Sequence, residues 1–381
     1  MRGLVIFLSI FFTVYGLVNL YIFIRGWQAI PQDSGFRTAF AIVFWAIALS
    51  FIVGRLVEGV SISILSDVLV WVGSFWIAAM LYFFLFVVVL DLLRAANHFL
   101  PFFPAFVATH RGQARLLTAA VATATVAVVL IAGHINALSP RITRLDLAID
   151  KKPQDPRDFR IVAASDIHLG TIVGRRRLDS LVDTINSLNA DVVVLPGDIV
   201  DEDLAPVIRQ NLGESLKAIR SRFGVFAITG NHEYIGGAEQ ACDYLAAHRV
   251  VMLRDRAVKI GGVFLVGRED RSCTRYGVQR KALPEIMAGV DRSCPVVLLD
   301  HQPFHLEEGV GEHVDLQISG HTHHGQLWPI NYIIQRVYEV GWGYRKFGTT
   351  NVFVGNGVGT WGPPVRVGNR PEILDIRLRF R

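Results

Sequence analysis

Cysteine is scarce in this chain. Its 381 residues include three, Cys242, Cys273 and Cys294. That odd number, at these spacings, builds neither a disulfide framework nor a zinc ribbon. The three read as small buried hydrophobes in a reducing compartment. Charge is scarce too: 19% of residues are Asp, Glu, Lys or Arg and 51% are hydrophobic, which is too apolar for an ordinary soluble protein. The deficit is local. Gly3–Ile24, Thr38–Gly54, Val68–Leu90 and Leu116–Pro140 carry no charged residue at all, and each approaches the ~20 residues that cross a bilayer as a helix. One such run reads as a buried core helix; four in succession read as membrane spans. Gly3–Ile24 has only Arg2 as a basic flank and no small-residue cleavage site, so it is expected to stay as a span rather than be removed as a signal peptide. The lack of charge inside the runs argues against a transport bundle. The net charge is +5, and the part after residue 140 is nearly neutral. It therefore lacks the concentrated basic face that nucleic acid requires, and no nucleic-acid partner is expected.

The chain divides near residue 140. Residues 1–140 read as a helical transmembrane region and 141–158 as a charged connector with Pro153 and Pro156, whose middle, Ile142–Asp150, alternates like an edge strand. Residues 159–381 read as a layered α/β domain. Strands are expected at Arg160–Ala164, Val192–Leu195, Val225–Thr229, Val263–Val266, Val296–Leu299, Asp315–Ser319, Asn351–Val354 and Glu372–Leu378. Helices are expected at Arg176–Leu188, Leu204–Arg220 and Ala238–His248. With four spans, Arg2, Arg55, Arg141, Arg144, Lys151 and Lys152 share one side of the membrane, and Arg25, Arg37, Arg94, Arg111 and Arg115 the other. The balance slightly favours a cytoplasmic α/β domain on a multi-pass protein of a bacterial inner membrane.

Five short motifs each follow an apolar, strand-like run: Asp166-Ile167-His168, Gly197-Asp198-Ile199-Val200-Asp201, Gly230-Asn231-His232-Glu233, His301 and Gly320-His321-Thr322-His323. Asp166 and His168 are two apart, so a continuing strand would point both side chains to one side and let them grip one ion. Asp198 offers two oxygens and can bridge two cations. Asn231 offers a carbonyl oxygen, and His301, His321 and His323 offer imidazole nitrogens. Oxygen and nitrogen ligands without thiolate fit Mn, Fe or Zn better than a structural zinc site. Taken singly, Gly-Asp and Gly-Asn-His are ordinary turn chemistry. As an ordered set, each just beyond a strand, they point to one pocket for two divalent metal ions and to phosphoester hydrolysis.

That set resembles the calcineurin-like metallophosphoesterase superfamily, from about Phe159 to the C-terminus. The tail Gly359-Thr360-Trp361-Gly362-Pro363-Pro364-Val365-Arg366, with Arg370-Pro371-Glu372-Ile373, resembles a narrower membrane-attached bacterial branch. The resemblance implies two facing β-sheets flanked by helices. It implies that Asp166, His168 and His323 hold a first metal, that Asn231, His301 and His321 hold a second, and that Asp198 bridges them, with manganese foremost. His232 would be a non-ligand general acid oriented by Asp201. Membrane-attached relatives include UDP-2,3-diacylglucosamine pyrophosphatases of lipid A synthesis, so a lipid-linked phosphate or pyrophosphate is the implied substrate and the bilayer an implied partner. The alternatives are a broad phosphodiesterase or phosphatase, and a non-catalytic membrane sensor.

His324 departs from the family pattern, which usually has Gly there; it reads first as an exposed or pocket-rim imidazole, and a substrate contact is the alternative. Arg175 opens the run Arg175-Arg176-Arg177 and offers a second phosphate contact, against the plainer reading of a solvated helix start. His134 and Asn136 lie near the end of the fourth span and read as interfacial; His305 and His313 carry no motif context and read as ordinary surface or loop residues. Leu327–Tyr338, with Trp328 as its candidate contact, is more apolar than a surface loop needs; it is either a small local core or a lip on the bilayer.

Overall fold

The computed structural model describes residues 2–151 and 158–381; the proline-bearing centre of the expected connector, with Pro153 and Pro156, lies outside the described residues. Two compact units emerge, Met1–Gly133 and His134–Arg381. The division falls before the expected residue 140, because the last turn of an apolar helix packs with the second unit.

The apolar runs become helices Arg2–Ala29, Phe36–Val60, Ile64–Phe99 and Arg111–Ala137, each long and apolar enough to cross a membrane. The third has 36 residues, more than a bilayer core requires. Ser63 starts it with a capping box to Ser66. Gly73 lets it approach the second helix closely: a Cβ there would lie 2.2 Å from the Phe51 backbone nitrogen. Asn19 is fully buried among these helices. It donates to the Tyr15 carbonyl (2.8 Å) and accepts from the Trp76 indole (2.9 Å), so its amide is satisfied inside the apolar unit.

The second unit is two six-stranded sheets. In chain order the strands are β1 (Arg141–Ile149), β2 (Phe159–Ala163), β3 (Val192–Pro196), β4 (Val225–Ile228), β5 (Val250–Met252), β6 (Arg256–Ile260), β7 (Val263–Gly267), β8 (Val296–Leu299), β9 (Leu316–Ser319), β10 (Gly343–Phe347), β11 (Thr350–Val354) and β12 (Glu372–Phe380). One sheet runs β1-β12-β2-β3-β4-β5 and the other β10-β11-β9-β8-β7-β6. β2 to β5 are mutually parallel, as are β11, β9, β8 and β7. The chain after Ala137 enters the first sheet at once, because β1 is its edge strand, parallel to β12. Alternate residues of both sheets (Ile161 and Ala163, Val192 and Val194, Phe226 and Ile228 from one; Leu265, Val297 and Leu299, Leu316 and Ile318 from the other) interleave in one core. Their neighbours Val162, Val193 and Leu195 are also fully buried, as expected of parallel strands covered on both faces.

The helix expected over Leu204–Arg220 is instead two short ones, Ala205–Arg209 and Leu212–Lys217. Asn211 breaks it with a left-handed backbone (φ 52°). The break brings Gly213 against the His248 ring, where a Cβ would sit at 2.3 Å, and its N–H onto the Tyr244 hydroxyl at 2.9 Å. Within Leu327–Tyr338, Leu327 is buried, whereas helix Asn331–Val337 buries none of its residues. Tyr332, Ile333 and Val337 are more than half exposed.

Candidate metal centre

Parallel strands β2, β3 and β4 of one sheet and β8 and β9 of the other end at a common edge, and every motif lies in the loop just beyond one of them. The loops stay ladder-bonded past the strands: Asp166 N–H donates to the Gly197 carbonyl, His168 N–H to that of Asp198, and Gly320 N–H to that of His301. The expected straight strand through Asp166 and His168 is not what pairs them. β2 ends at Ala163, and Asp166, His168, Asp198, His321 and His323 all hold left-handed backbones (φ 47–70°). Each such residue costs on the order of 1 kcal/mol or more, a strain typical of sites held by their surroundings.

The glycines of the motifs make room for carboxylates as much as turns. A Cβ on Gly230 would lie 2.1 Å from Asp198 Oδ1, and one on Gly320 would lie 2.3 Å from Asp166 Oδ2. Gly230 has an ordinary negative φ, so close approach alone demands glycine there.

Three groups of ligand atoms gather within 4.8 Å of one another: Asp166, His168 and His323; His168, Asp198 and His232; and Asp198, His301 and His321. Asp198 is shared by the last two and His168 by the first two. His168 Nε2 faces His323 Nε2 at 3.0 Å, and His323 Nε2 lies 3.7 Å from Asp166 Oδ1. His301 Nε2 is 3.1 Å from Asp198 Oδ2. Its other nitrogen, Nδ1, is 2.7 Å from the Pro196 carbonyl, which can only accept; Nδ1 therefore carries a proton, and Nε2 is the nitrogen turned toward Asp198. Asp166 Oδ2 and Asn231 Oδ1 are buried without a hydrogen-bond partner. Unpaired oxygens beside converging imidazoles form a donor set that fits hard or borderline divalent cations.

Electrostatics follow burial. Burial opposes ionisation of Asp198, but His301, His232 and His168 hold its carboxyl well below the usual range. His321 is pushed down to about 4, first by burial and then by the His301 charge, and His323 is lowered by burial and by Arg366. Both are thus neutral, whereas His301 is raised well above its ordinary value: burial opposes the charge, but the Asp198 carboxylate beside it favours it more. His232 is raised to about 9: burial opposes the charge, but Asp198, Asp201 and Glu202 favour it more.

Asp201 lies 3.2 Å from His232 Nδ1 and 3.3 Å from His168 Nδ1, so one carboxylate addresses two imidazoles rather than His232 alone. His232 sits edge-on to His168, with Trp361 at 5.9 Å on its other side. Two further residues were not singled out by sequence reasoning. Glu233 is buried and takes four backbone N–H groups: Oε1 accepts from Ile199 and Val200, and Oε2 from Asp198 and Gly230. It locks the Asp198 loop to the Asn231 loop; its place three residues after Gly230, in a capping-box spacing, was the available signal. Arg366 is fully buried. It donates to the carbonyls of His323, Asn356, Gly357 and Gly359, and Nη2 stands 3.0 Å from His323 Nδ1, turning Nε2 toward His168.

The three candidate substrate contacts each have local partners. Arg175 Nη2 donates to the carbonyls of Gln210 and Asn211, both at 2.7 Å, so it ties down that segment. The His324 ring stacks on Trp342, with centroids 4.9 Å apart. Trp328 is 46% exposed and covers Gly368. In the same arginine run, Arg177 is engaged by Thr360 and by the carbonyls of Val358 and Ala137.

A family model described as calcineurin-like phosphoesterase matches residues 159–325. An uncharacterized metallophosphoesterase of Aquifex aeolicus is 31% identical over 65% of this chain and 94% of its own length. One of Campylobacter jejuni is 28% identical over 98% of both chains. A zebrafish (Danio rerio) transmembrane protein with metallophosphoesterase domain is 31% identical over 66% of this chain and 61% of its own. For the zebrafish protein and for the metallophosphoesterases of Helicobacter pylori, the match spans less than two thirds of the relative's length.

The Glu233 clamp gives a direct prediction. In Glu233→Gln one oxygen becomes an NH₂ facing two of the four N–H donors, at a cost on the order of 3 kcal/mol. The variant should show a lower thermal midpoint in detergent and reduced bound metal by elemental analysis. A wild-type midpoint with full metal content would contradict the clamp.

Proposed function

Because the chain belongs to the calcineurin-like metallophosphoesterase family, we propose that it is a two-metal hydrolase of a phosphoester or phosphoric anhydride bond. The observation that carries this reading is the buried junction of both sheets, where Asp198 is shared between ligand groups and two side-chain oxygens have no protein partner. Asp166, His168 and His323 would hold one divalent cation and Asn231, His301 and His321 the other, with Asp198 between them. When bound, such a pair neutralises phosphoryl charge and makes water nucleophilic at neutral pH.

The chain's own residues account for the rest. Asp201 holds His168 through Nδ1, leaving Nε2 for a cation. The same carboxylate keeps His232 protonated and oriented, so His232 can pass a proton to the leaving oxygen. Trp361 stands edge-on to that imidazole, with ring centroids 5.9 Å apart.

The substrate we propose is lipid-linked. The four apolar helices, and relatives named as transmembrane proteins, support a membrane-confined reaction. The exposed apolar helix Asn331–Val337, with Trp328 beside it, suits contact with acyl chains. The last turn of the fourth apolar helix also belongs to the phosphoesterase unit, where His134 bonds the Pro364 carbonyl and Asn136 those of Arg366 and Asn369.

Two predictions follow from the roles assigned. His232→Ala should keep its metals yet turn over ~10²–10⁴-fold more slowly on poor leaving groups, with a smaller defect on nitrophenyl esters. Loss of a metal in this variant would make His232 a ligand and end the general-acid assignment. For the lipid, manganese-loaded enzyme in detergent should release UMP from UDP-2,3-diacylglucosamine much faster than from UDP-glucosamine, because the binding energy of the chains is lost with them. Equal rates on the two, or no UMP from either, would leave the phosphohydrolase reading without this substrate.

A further inference from the structure

A cavity of about 700 Å³ opens beside the metal centre, and nothing in the reaction described so far uses most of its wall. Its lining joins Asn231 and His321 to Arg271, Ser272, Arg275 and Phe304. Asn231 and His321 are candidate ligands of the second metal, so the cavity begins where the scissile phosphate would sit. The other residues supply a different chemistry.

Arg271, Ser272 and Arg275 share one short 3₁₀ helix, Arg271–Tyr276, whose first turn is pinned by Asp270 accepting from the Ser272 N–H at 2.8 Å. The carboxylates that could neutralise the two guanidinium groups are already engaged. Asp270 takes both hydrogen bonds of the Gln302 amide, each at 3.0 Å. Glu269 pairs with Arg254, and Asp300 with Arg268 and Arg280. Among the described residues, neither Arg271 nor Arg275 has an ion-pair partner. Arg271 is instead held over the Phe304 ring, 5.3 Å from its centroid, and Phe304 packs on Tyr338 at 4.7 Å. On the far side Tyr276 packs on Tyr234 at 5.8 Å. The result is a cavity with two donor-rich cations on a fixed turn, neither held in an ion pair, with hydroxyls beside them and aromatic rings in the wall; Glu307, paired with His305, also feels the Arg271 charge. That is a poor place for an acyl chain and a good one for an anion, because guanidinium matches phosphate geometry with paired hydrogen bonds.

We propose that this cavity binds a second phosphate group of the substrate, with Arg271 and Arg275 as its ligands and Phe304 and Tyr276 flanking the group that joins the two phosphates. This rests on the phosphohydrolase reading above and narrows it. The substrate class is a phosphoester or phosphoanhydride that carries a further phosphate beyond the one attacked.

The test uses full-length, metal-loaded enzyme and two substrate pairs, each differing by one phosphate. The soluble pair is thymidine 5′-(p-nitrophenyl phosphate) with and without a 3′-phosphate. The lipid pair is phosphatidylinositol 4-phosphate and phosphatidylinositol in detergent micelles. In at least one pair, the extra phosphate should raise kcat/KM by about tenfold or more, mainly through KM, the value of one charge-assisted hydrogen bond. The pair with the larger gain identifies a soluble or a lipid source. Arg271→Ala and Arg275→Ala should bring the ratio towards one, and Arg271→Lys should restore part of it, with metal content unchanged. Equal kcat/KM within both pairs for the wild type would overturn the subsite while leaving the phosphohydrolase reading intact. If the metal-loaded enzyme cleaved none of the four esters, that broader reading would fail and the subsite with it.

Discussion

Two carboxylates, Asp166 and Asp198, lie almost wholly out of water, and the rest of the site is arranged around that cost. An uncompensated buried carboxylate is worth several kcal/mol against folding. Here each is met by imidazoles and by N–H donors: His321 N–H bonds Asp166 at 2.7 Å and His232 N–H bonds Asp198 at 2.9 Å. Neither sheet alone could provide this. Asp166, Asp198 and Asn231 come from one sheet, and His301, His321 and His323 from the other, so the facing of the two sheets is itself what closes the ligand set. The left-handed ligand residues are held in place by groups that bind no metal, Glu233 from one loop and Arg366 from the C-terminal segment. Positioning of the centre is therefore spread over more than two hundred residues of chain.

Much of this was legible in the sequence, for reasons that differ by element. Charge-free runs gave the four apolar helices because hydrophobic length is a direct readout of what a helix can bury or place in lipid. The central strands were legible because parallel strands covered on both faces read as continuous apolar runs, as Val192–Leu195 does. The exposed strands β6 and β10 were missed: their residues are partly or fully exposed, so no apolar pattern marks them. The break at Asn211 was missed because it depends on His248 and Tyr244, far along the chain.

In the site, the residue types and their order were visible, but the geometry was not. The two-residue spacing of Asp166 and His168 suggested a pleated strand, whereas left-handed turns do the work. That Arg175 binds the Gln210 and Asn211 carbonyls was not visible in the run Arg175-Arg176-Arg177, because those partners lie 35 and 36 residues away. Arg366 drew notice only as part of a tail motif; that it reaches His323 follows from the return of β12 beside β2. Arg366 also joins the end of the fourth apolar helix to the centre, since Asn136 bonds its carbonyl while its guanidinium faces His323. A route of three residues, Asn136, Arg366 and His323, thus runs from the helix terminus to a candidate metal ligand.

The central claim is that two cations share Asp198. Anomalous X-ray diffraction at the metal absorption edge, on crystals of the full-length protein, tests it most directly. The account predicts two anomalous peaks per chain, both within coordination distance of the Asp198 carboxylate, one beside Asp166, His168 and His323 and the other beside Asn231, His301 and His321. A single peak, or a second peak with no contact to Asp198, would contradict it.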